Sequence, residues 1–208
     1  MESQLVIQVL KQIYETLKAD GINNCWKYKK VKDVIYNEEN PLTIGVISFY
    51  AAQFKDIIRR IKNLNFIQRE HGSFYKFKDL DVNIQISIVD RFQGREKDII
   101  IIPLTRSNKF RNIGFLKSRQ RANVAFSRAK HNLFIIGNHD FYEKLRYINE
   151  NEPYIKLIKY CKKNKLLLTL NPTKEIIDNV IDSRHFFKGF LSREEKENKV
   201  YEKFQEHL

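Results

Sequence analysis

Ile84-Gln85-Ile86-Ser87-Ile88-Val89-Asp90-Arg91-Phe92-Gln93-Gly94-Arg95-Glu96-Lys97-Asp98-Ile99-Ile100-Ile101-Ile102 places a polar turn between two β-branched runs. Each run predicts a strand. Four isoleucines in succession leave no polar face, which suits a strand covered on both sides. Working outward, Thr43-Ile44-Gly45-Val46-Ile47-Ser48 and Leu133-Phe134-Ile135-Ile136-Gly137 predict two more strands. A helix is expected after the first of these, with Phe54, Ile57, Ile58 and Ile61 on its apolar side. Leu5, Val6, Val9, Leu10, Ile13 and Leu17 fall at helical spacing near the start, and Gly21 is a plausible stop. Tyr154, Leu157, Ile158 and Cys161 mark another helix, and Leu166-Leu167-Leu168 reads as a short final strand. Strands interleaved with helices predict an α/β fold with a mostly parallel sheet covered by helices on both faces. In such sheets ligands gather at the carboxyl ends of the strands.

The chain has 208 residues, 42% hydrophobic and 30% charged, a globular balance. No apolar run reaches the roughly 18 residues that span a bilayer. The opening residues lack the basic and apolar regions of a secretory leader. Cys25 and Cys161 are far apart and form no CxxC pair, so a reducing compartment is expected, without a disulfide framework or a cysteine-based zinc site. The five histidines have no ligand-like spacing, and no Gly-x-Ser-x-Gly elbow occurs.

The net charge is +13. An acidic partner such as nucleic acid explains it, and so does a lysine-rich composition spread over solvated faces. The distribution favours the first. No acidic residue lies between Asp98 and Asp140, a window that carries Arg106, Lys109, Arg111, Lys117, Arg119, Arg121, Arg128 and Lys130. Five of these eight are arginines, the side chain suited to bidentate phosphate contacts.

Two stretches carry the chemistry. Arg119 to Lys130 reads as a helix with Ala122, Ala125, Phe126 and Ala129 in its apolar stripe. Arg121 and Arg128, seven residues apart, would then share a face, separated by about 10 Å of rise. Such a pair suits a polyphosphate; a solvated helix face is the plainer alternative. In the turn from Asp90 to Asp98, Gly94 permits positive φ, Glu96 offers an acceptor for a sugar hydroxyl, and Asp90 and Asp98 offer partners for local arginines. Acids that merely cap backbone groups are the alternative there. Phe92 and Phe110 are further candidates for stacking on a base.

Together the two stretches resemble a known pair. Val89-Asp90-x-Phe92-Gln93-Gly94-x-Glu96-x-Asp98, followed by Arg121-x-Asn123-Val124-Ala125-x-Ser127-Arg128-Ala129, is similar to motifs V and VI of superfamily 1 helicases of the nonsense-mediated-decay and senataxin type. Ile47-Ser48-Phe49-Tyr50-x-x-Gln53 resembles the family's upstream strand and turn. Ile113-Gly114-Phe115-Leu116 and Ile136-Gly137-Asn138 also fall in the family's order. The resemblance implies a RecA-like domain of the P-loop-NTPase type, the second of two, over residues 1–170. A helical, charged extension is expected over 171–208. It implies an arginine finger at Arg128, and contacts to the nucleotide from Gly94, Glu96 and, as phosphate contact or helix brace, Arg121. Ser87, Val89, Thr105, Arg106, Ser107 and Asn108 would line a single-strand path of RNA or DNA, with Gln93 coupling the two. Ser127 stands where the family usually has Thr and keeps the hydroxyl. Ala122 replaces a larger apolar residue, Phe54 stands where a basic residue is common, and Pro103 replaces a small hydroxyl residue.

The sequence contains no Gly-x-x-x-x-Gly-Lys-[Ser/Thr] and no apolar strand ending in an Asp-Glu pair. By the resemblance, the chain holds half of an ATP site, and an N-terminal RecA-like domain, in cis or in trans, would complete it and supply the magnesium. The chain alone is expected to be inactive as an ATPase. A nucleic-acid-binding module without a motor and a regulatory decoy that docks on a helicase are the rival expectations. The cytoplasm or nucleus, without a membrane, is the expected setting.

Overall fold

The computed structural model describes residues 1–23, 34–92, 94–105, 112–143 and 153–167. The elements run α1 (Glu2–Asp20), β1 (Leu42–Ser48), α2 (Ala51–Ile61), β2 (Ile67–His71), β3 (Phe74–Phe77), β4 (Val82–Ile88), β5 (Lys97–Pro103), α3 (Arg119–Phe126), β6 (Ala129–Ile136), α4 (His139–Glu143) and α5 (Pro153–Lys163). Short 3-10 turns at Val89–Arg91 and Gly114–Lys117 complete them. One six-stranded sheet has the order β2-β3-β4-β1-β5-β6. Strands β4, β1, β5 and β6 are parallel, and β3 and β2 extend the sheet as an antiparallel meander. The expected α/β class with a mostly parallel sheet is therefore what forms. No helix among the described residues is long and apolar enough to cross a membrane.

The isoleucine run explains why the sheet is buried twice. Ile99 and Ile101 pack with Val6, Leu10 and Ile13 of α1 and Ile57 of α2. Ile100 and Ile102 face the other way, among Ala122, Ala125 and Phe126 of α3 and Tyr154 and Ile158 of α5. All four isoleucines are fully buried, each burial stabilising by roughly 1.5–3 kcal/mol.

Two expectations are corrected, and one region carried none. The meander over Ile67–Phe77 had no prediction. Leu166 and Leu167 form no strand. The helix begun at Arg119 ends at Phe126, so Arg128 lies in a turn and Ala129 begins β6, paired with Lys97. Arg121 and Arg128 therefore do not share a helix face. The proposed extension over 171–208 lies outside the described residues.

The connection from β4 to β5 is what positions the site. Ile88 pairs at the level of Ser48, whereas Ile99 pairs at the level of Ile44. The chain thus returns from the level of Ser48 to that of Ile44, toward the amino end of the sheet, a descent of about 13 Å at ~3.3 Å per residue, and the described part of the connection holds one 3-10 turn. Phe92, fully buried, anchors this descent on the sheet above Gly45. A Cβ at Gly45 would sit 2.6 Å from Ile100 Cδ1 and 2.7 Å from Phe92 Cζ. Glycine is needed there for close approach. Phe92 is consequently core and has no surface for a base.

Candidate functional site

The candidate residues separate into two groups, one at each end of the parallel strands, so the expectation that ligands gather at the carboxyl ends does not hold for Glu96 and Arg128, which directly precede β5 and β6. At the amino end, Glu96 immediately precedes β5 and Arg128 immediately precedes β6. The N–H of Lys97 donates to the carbonyl of Arg128 at 2.9 Å, so parallel pairing brings the two backbones side by side. Glu96 is exposed, Arg128 half-buried. Gly94 is exposed with φ 75°, and no heavy atom lies within 4 Å of the Cβ it lacks. Its requirement is therefore conformational, not spatial.

Local chemistry fixes the Arg128 guanidinium. Its Nε donates to the Val124 carbonyl at 3.0 Å, and its Nη2 donates to Ser127 Oγ at 2.8 Å. The end of α3 and the hydroxyl next door thus hold the planar group. Among the described residues no carboxylate pairs with Arg128 and no cation pairs with Glu96, so neither charge is committed to an ion pair there.

Beneath these charges is a bonded foundation. Asp98, buried on β5, accepts from the Thr43 N–H at 2.8 Å and from Thr43 Oγ1 at 2.6 Å. The Asp98 N–H donates back to Thr43 Oγ1 at 3.1 Å. Lys130 and His131 approach its second oxygen at 3.9 and 3.6 Å. Asp98 therefore pairs with a threonine, a lysine and a histidine, not with an arginine, and it fastens β1 to β5 below Glu96. Burial, reinforced by the Asp98 charge, holds the Tyr36 hydroxyl above the usual phenol range. Burial, then the nearby Arg95, pulls the Lys97 ammonium below the usual lysine range, with Lys130 adding to the effect and Asp98 opposing it. Sequence reasoning had passed over Thr43, Tyr36 and Lys97. The signal for Thr43 was a hydroxyl at the first turn of an otherwise apolar strand.

At the carboxyl end, Asp90 and Arg121 pair as expected. Arg121 Nε and Nη2 donate to the two Asp90 carboxylate oxygens at 2.9 and 3.0 Å. Ser118 caps α3 by accepting from the Arg121 N–H. The bidentate pair ties the front of α3 to the end of β4, while Arg128 lies beyond the other end of α3. Thr105 is exposed just after β5. Ser87 and Val89 are buried, 6% and 1% exposed, and form this end from beneath. Gln93, Arg106, Ser107, Asn108 and Phe110 lie outside the described residues. The Tyr-x-x-Gln stretch acts as a brace: Ser48 Oγ donates to Gln53 Oε1 at 2.7 Å and accepts from the Tyr50 N–H at 3.2 Å.

A family model described as an AAA domain (AAA_12) matches residues 1–140. The probable helicase senataxin of Homo sapiens is 32% identical over 168 residues, 80% of this chain and 5% of that protein. The ATP-dependent helicase NAM7 of Saccharomyces cerevisiae is 43% identical over 98 residues, 47% of this chain and 9% of that protein. A homolog of regulator of nonsense transcripts 1 from Neurospora crassa is 41% identical over 98 residues, 47% of this chain and 8% of that protein. The chain thus spans less than a tenth of the length of each of these three relatives. The chain belongs to the AAA_12 family of AAA domains, a P-loop-NTPase-type fold, and is a helicase-related domain of the superfamily 1 nonsense-mediated-decay and senataxin type.

Proposed function

We propose that this chain is the second, C-terminal RecA-like half of an ATP-dependent RNA or DNA helicase, with ATP at the amino end of the sheet and a single strand at the carboxyl end. The observation that carries the reading is the backbone bond from Lys97 to Arg128, which brings the Glu96 and Arg128 backbones side by side, neither residue having an ionic partner among the described residues. Arg128 is the arginine finger. During phosphoryl transfer, negative charge spreads over the γ-phosphate oxygens, and a fixed guanidinium stabilises it without further reorganisation. Glu96 accepts from a ribose hydroxyl beside the open turn at Gly94. Arg121, held by Asp90, braces α3. Thr105 and the segment from Arg106 to Asn108 meet the strand, with Ser87 and Val89 supporting that surface, and Gln93 links it to the nucleotide end. A second RecA-like lobe, in cis or in trans, supplies the phosphate loop and magnesium ligands. The residues present fit one side of a triphosphate, its terminal charge and its sugar, and nothing in the sequence cradles the β-phosphate.

ATP turnover is the test, measured for the 208-residue chain alone and with a lobe that carries a phosphate-binding loop. The chain alone should hydrolyse ATP negligibly. In the two-lobe assembly, Arg128→Ala should lower turnover by about 10³–10⁵-fold. Strand binding by the chain alone should barely change, and should weaken as salt rises. Robust hydrolysis by the chain alone, or an Arg128→Ala loss no larger than that of Arg59→Ala on the exposed face of α2, would overturn the proposal.

A further inference from the structure

Among the described residues Phe115 is the one phenylalanine, tyrosine or tryptophan side chain that is exposed, at 59%. A single exposed phenylalanine is ordinary on a protein surface. This one differs because its surroundings hold it. Its N–H donates to Tyr50 Oη at 3.0 Å, and Tyr50 Oη donates to the Ile113 carbonyl at 3.1 Å. The Tyr50 ring lies 5.6 Å away, tilted by 43°. The Arg121 guanidinium sits 5.2 Å from the Phe115 centroid and is itself locked on Asp90. The ring is therefore positioned in advance by β1's outgoing loop and by α3.

Its setting is basic. Lys117 and Arg119 are exposed immediately after it, and the acid-free window runs on both sides. Asp90, the acid bonded to the Arg121 guanidinium beside the ring, is neutralised by that arginine. A fixed aromatic ring flanked by cations is the arrangement that binds single strands, through stacking on bases and attraction to phosphates.

We infer that Phe115 is a base-stacking residue for single-stranded nucleic acid, with Lys117 and Arg119 taking the adjoining phosphates. The inference rests on reading the carboxyl end as the strand path, and it names the ring that the path uses. Stacking needs only a π-face, so the contact tolerates any base.

Fluorescence anisotropy with the 208-residue chain tests it, using labelled oligo(U), oligo(dT) and an abasic strand of equal length at fixed low salt. The chain should prefer the base-containing strands. Phe115→Ala should weaken their binding roughly 5- to 150-fold and leave abasic binding unchanged, so that the preference disappears. Phe115→Trp should keep it. Lys117→Ala with Arg119→Ala should weaken all three strands alike. Equal affinity of Phe115→Ala and the parent chain for oligo(U) and oligo(dT) overturns stacking, while the strand path stands. If Phe115→Ala instead weakens only association with a second RecA-like lobe, the ring is a docking surface and the inference fails. Absence of strand binding by the parent chain removes both readings. Thermal melts of each variant confirm folding.

Discussion

The two ends of the sheet solve opposite problems. At the amino end the foundation is bonded and the charges above it are left open: Asp98 is occupied by Thr43, while Arg128 and Glu96 have no ionic partners among the described residues. At the carboxyl end the charges nearest the ring neutralise one another, Asp90 with Arg121, and an exposed aromatic ring stands beside the exposed cations Lys117 and Arg119. Uncompensated charge suits a compact anion with a sugar attached. A neutralised pair beside a ring suits a chain of bases. One short descent, anchored by Phe92 over Gly45, joins the two ends, so a shift at either end is transmitted through packed core.

The largest expected effect that separates the ends, beyond Arg128 itself, is at Ser127. Its hydroxyl accepts from Arg128 at 2.8 Å. Ser127→Ala should leave the guanidinium less fixed and lower ATP turnover of the two-lobe assembly by about 10- to 100-fold, given how steeply rate depends on placement. Ser127→Thr should restore it. Oligonucleotide affinity should not move. Equal turnover for the alanine and threonine variants would show that Ser127 does not position the finger.

The descent itself can be broken. Gly45→Ala forces a methyl against Ile100 and Phe92, an overpacking that should cost about 1–3 kcal/mol. Gly94→Ala meets no neighbour and is strained only by its positive φ, costing about 1–2 kcal/mol. Thermal unfolding of the two compares them. Gly45→Ala should also disturb both binding functions, because it lifts the strap that joins them, whereas Gly94→Ala should affect the nucleotide end alone. An unchanged melting temperature for Gly45→Ala would mean the strap relaxes freely.

The strands of this sheet were legible because burial on both faces leaves unbroken β-branched runs, as at Ile99–Ile102. The β2–β3 meander was not. Gln68, Arg69, Glu70 and His71 are exposed on an edge strand, where charge guards against unwanted pairing and hides the strand signal. Ala129 fitted a helical stripe equally well, because a small buried residue looks the same on a helix or at a strand start. The turn at Ser127 and Arg128 that separates the two has no glycine or proline to mark it. Motif residues identified Glu96 and Arg128 as candidates, yet their adjacency arises from β5–β6 pairing, a nonlocal contact that local pattern does not contain. Phe115 was visible as a motif member, but only burial distinguished it from Phe92.

A smaller effect tests how stiff the carboxyl end is. The Asp90–Arg121 pair is half exposed, so its contribution should be modest. A double-mutant cycle with Asp90→Asn and Arg121→Lys should give a coupling of about 0.5–1 kcal/mol in chemical unfolding. Arg121→Lys should also weaken oligonucleotide binding, because it removes the guanidinium that lies over Phe115. If the coupling is zero and binding is unchanged, the pair does not set the ring.

The smallest effect lies away from both ends and serves as their control. Asp56 on α2 accepts from Arg60 at 3.0 Å, and this bond, aided by Ser3 and Arg59, holds its carboxyl down at about 2 against a burial cost. A depressed carboxylate stabilises the folded state above its ordinary value near 3.8 and loses that contribution as pH falls toward 2. The group is a surface helix pair, worth about 0.3–0.5 kcal/mol. Asp56→Asn should therefore flatten the acid limb of the stability curve slightly between pH 4 and 2, by about that amount. ATP turnover and strand binding should be untouched at neutral pH. A change in either would mean that the α1–α2 face is coupled to the sites, and the separation of the molecule into two working ends over a passive core would have to be redrawn.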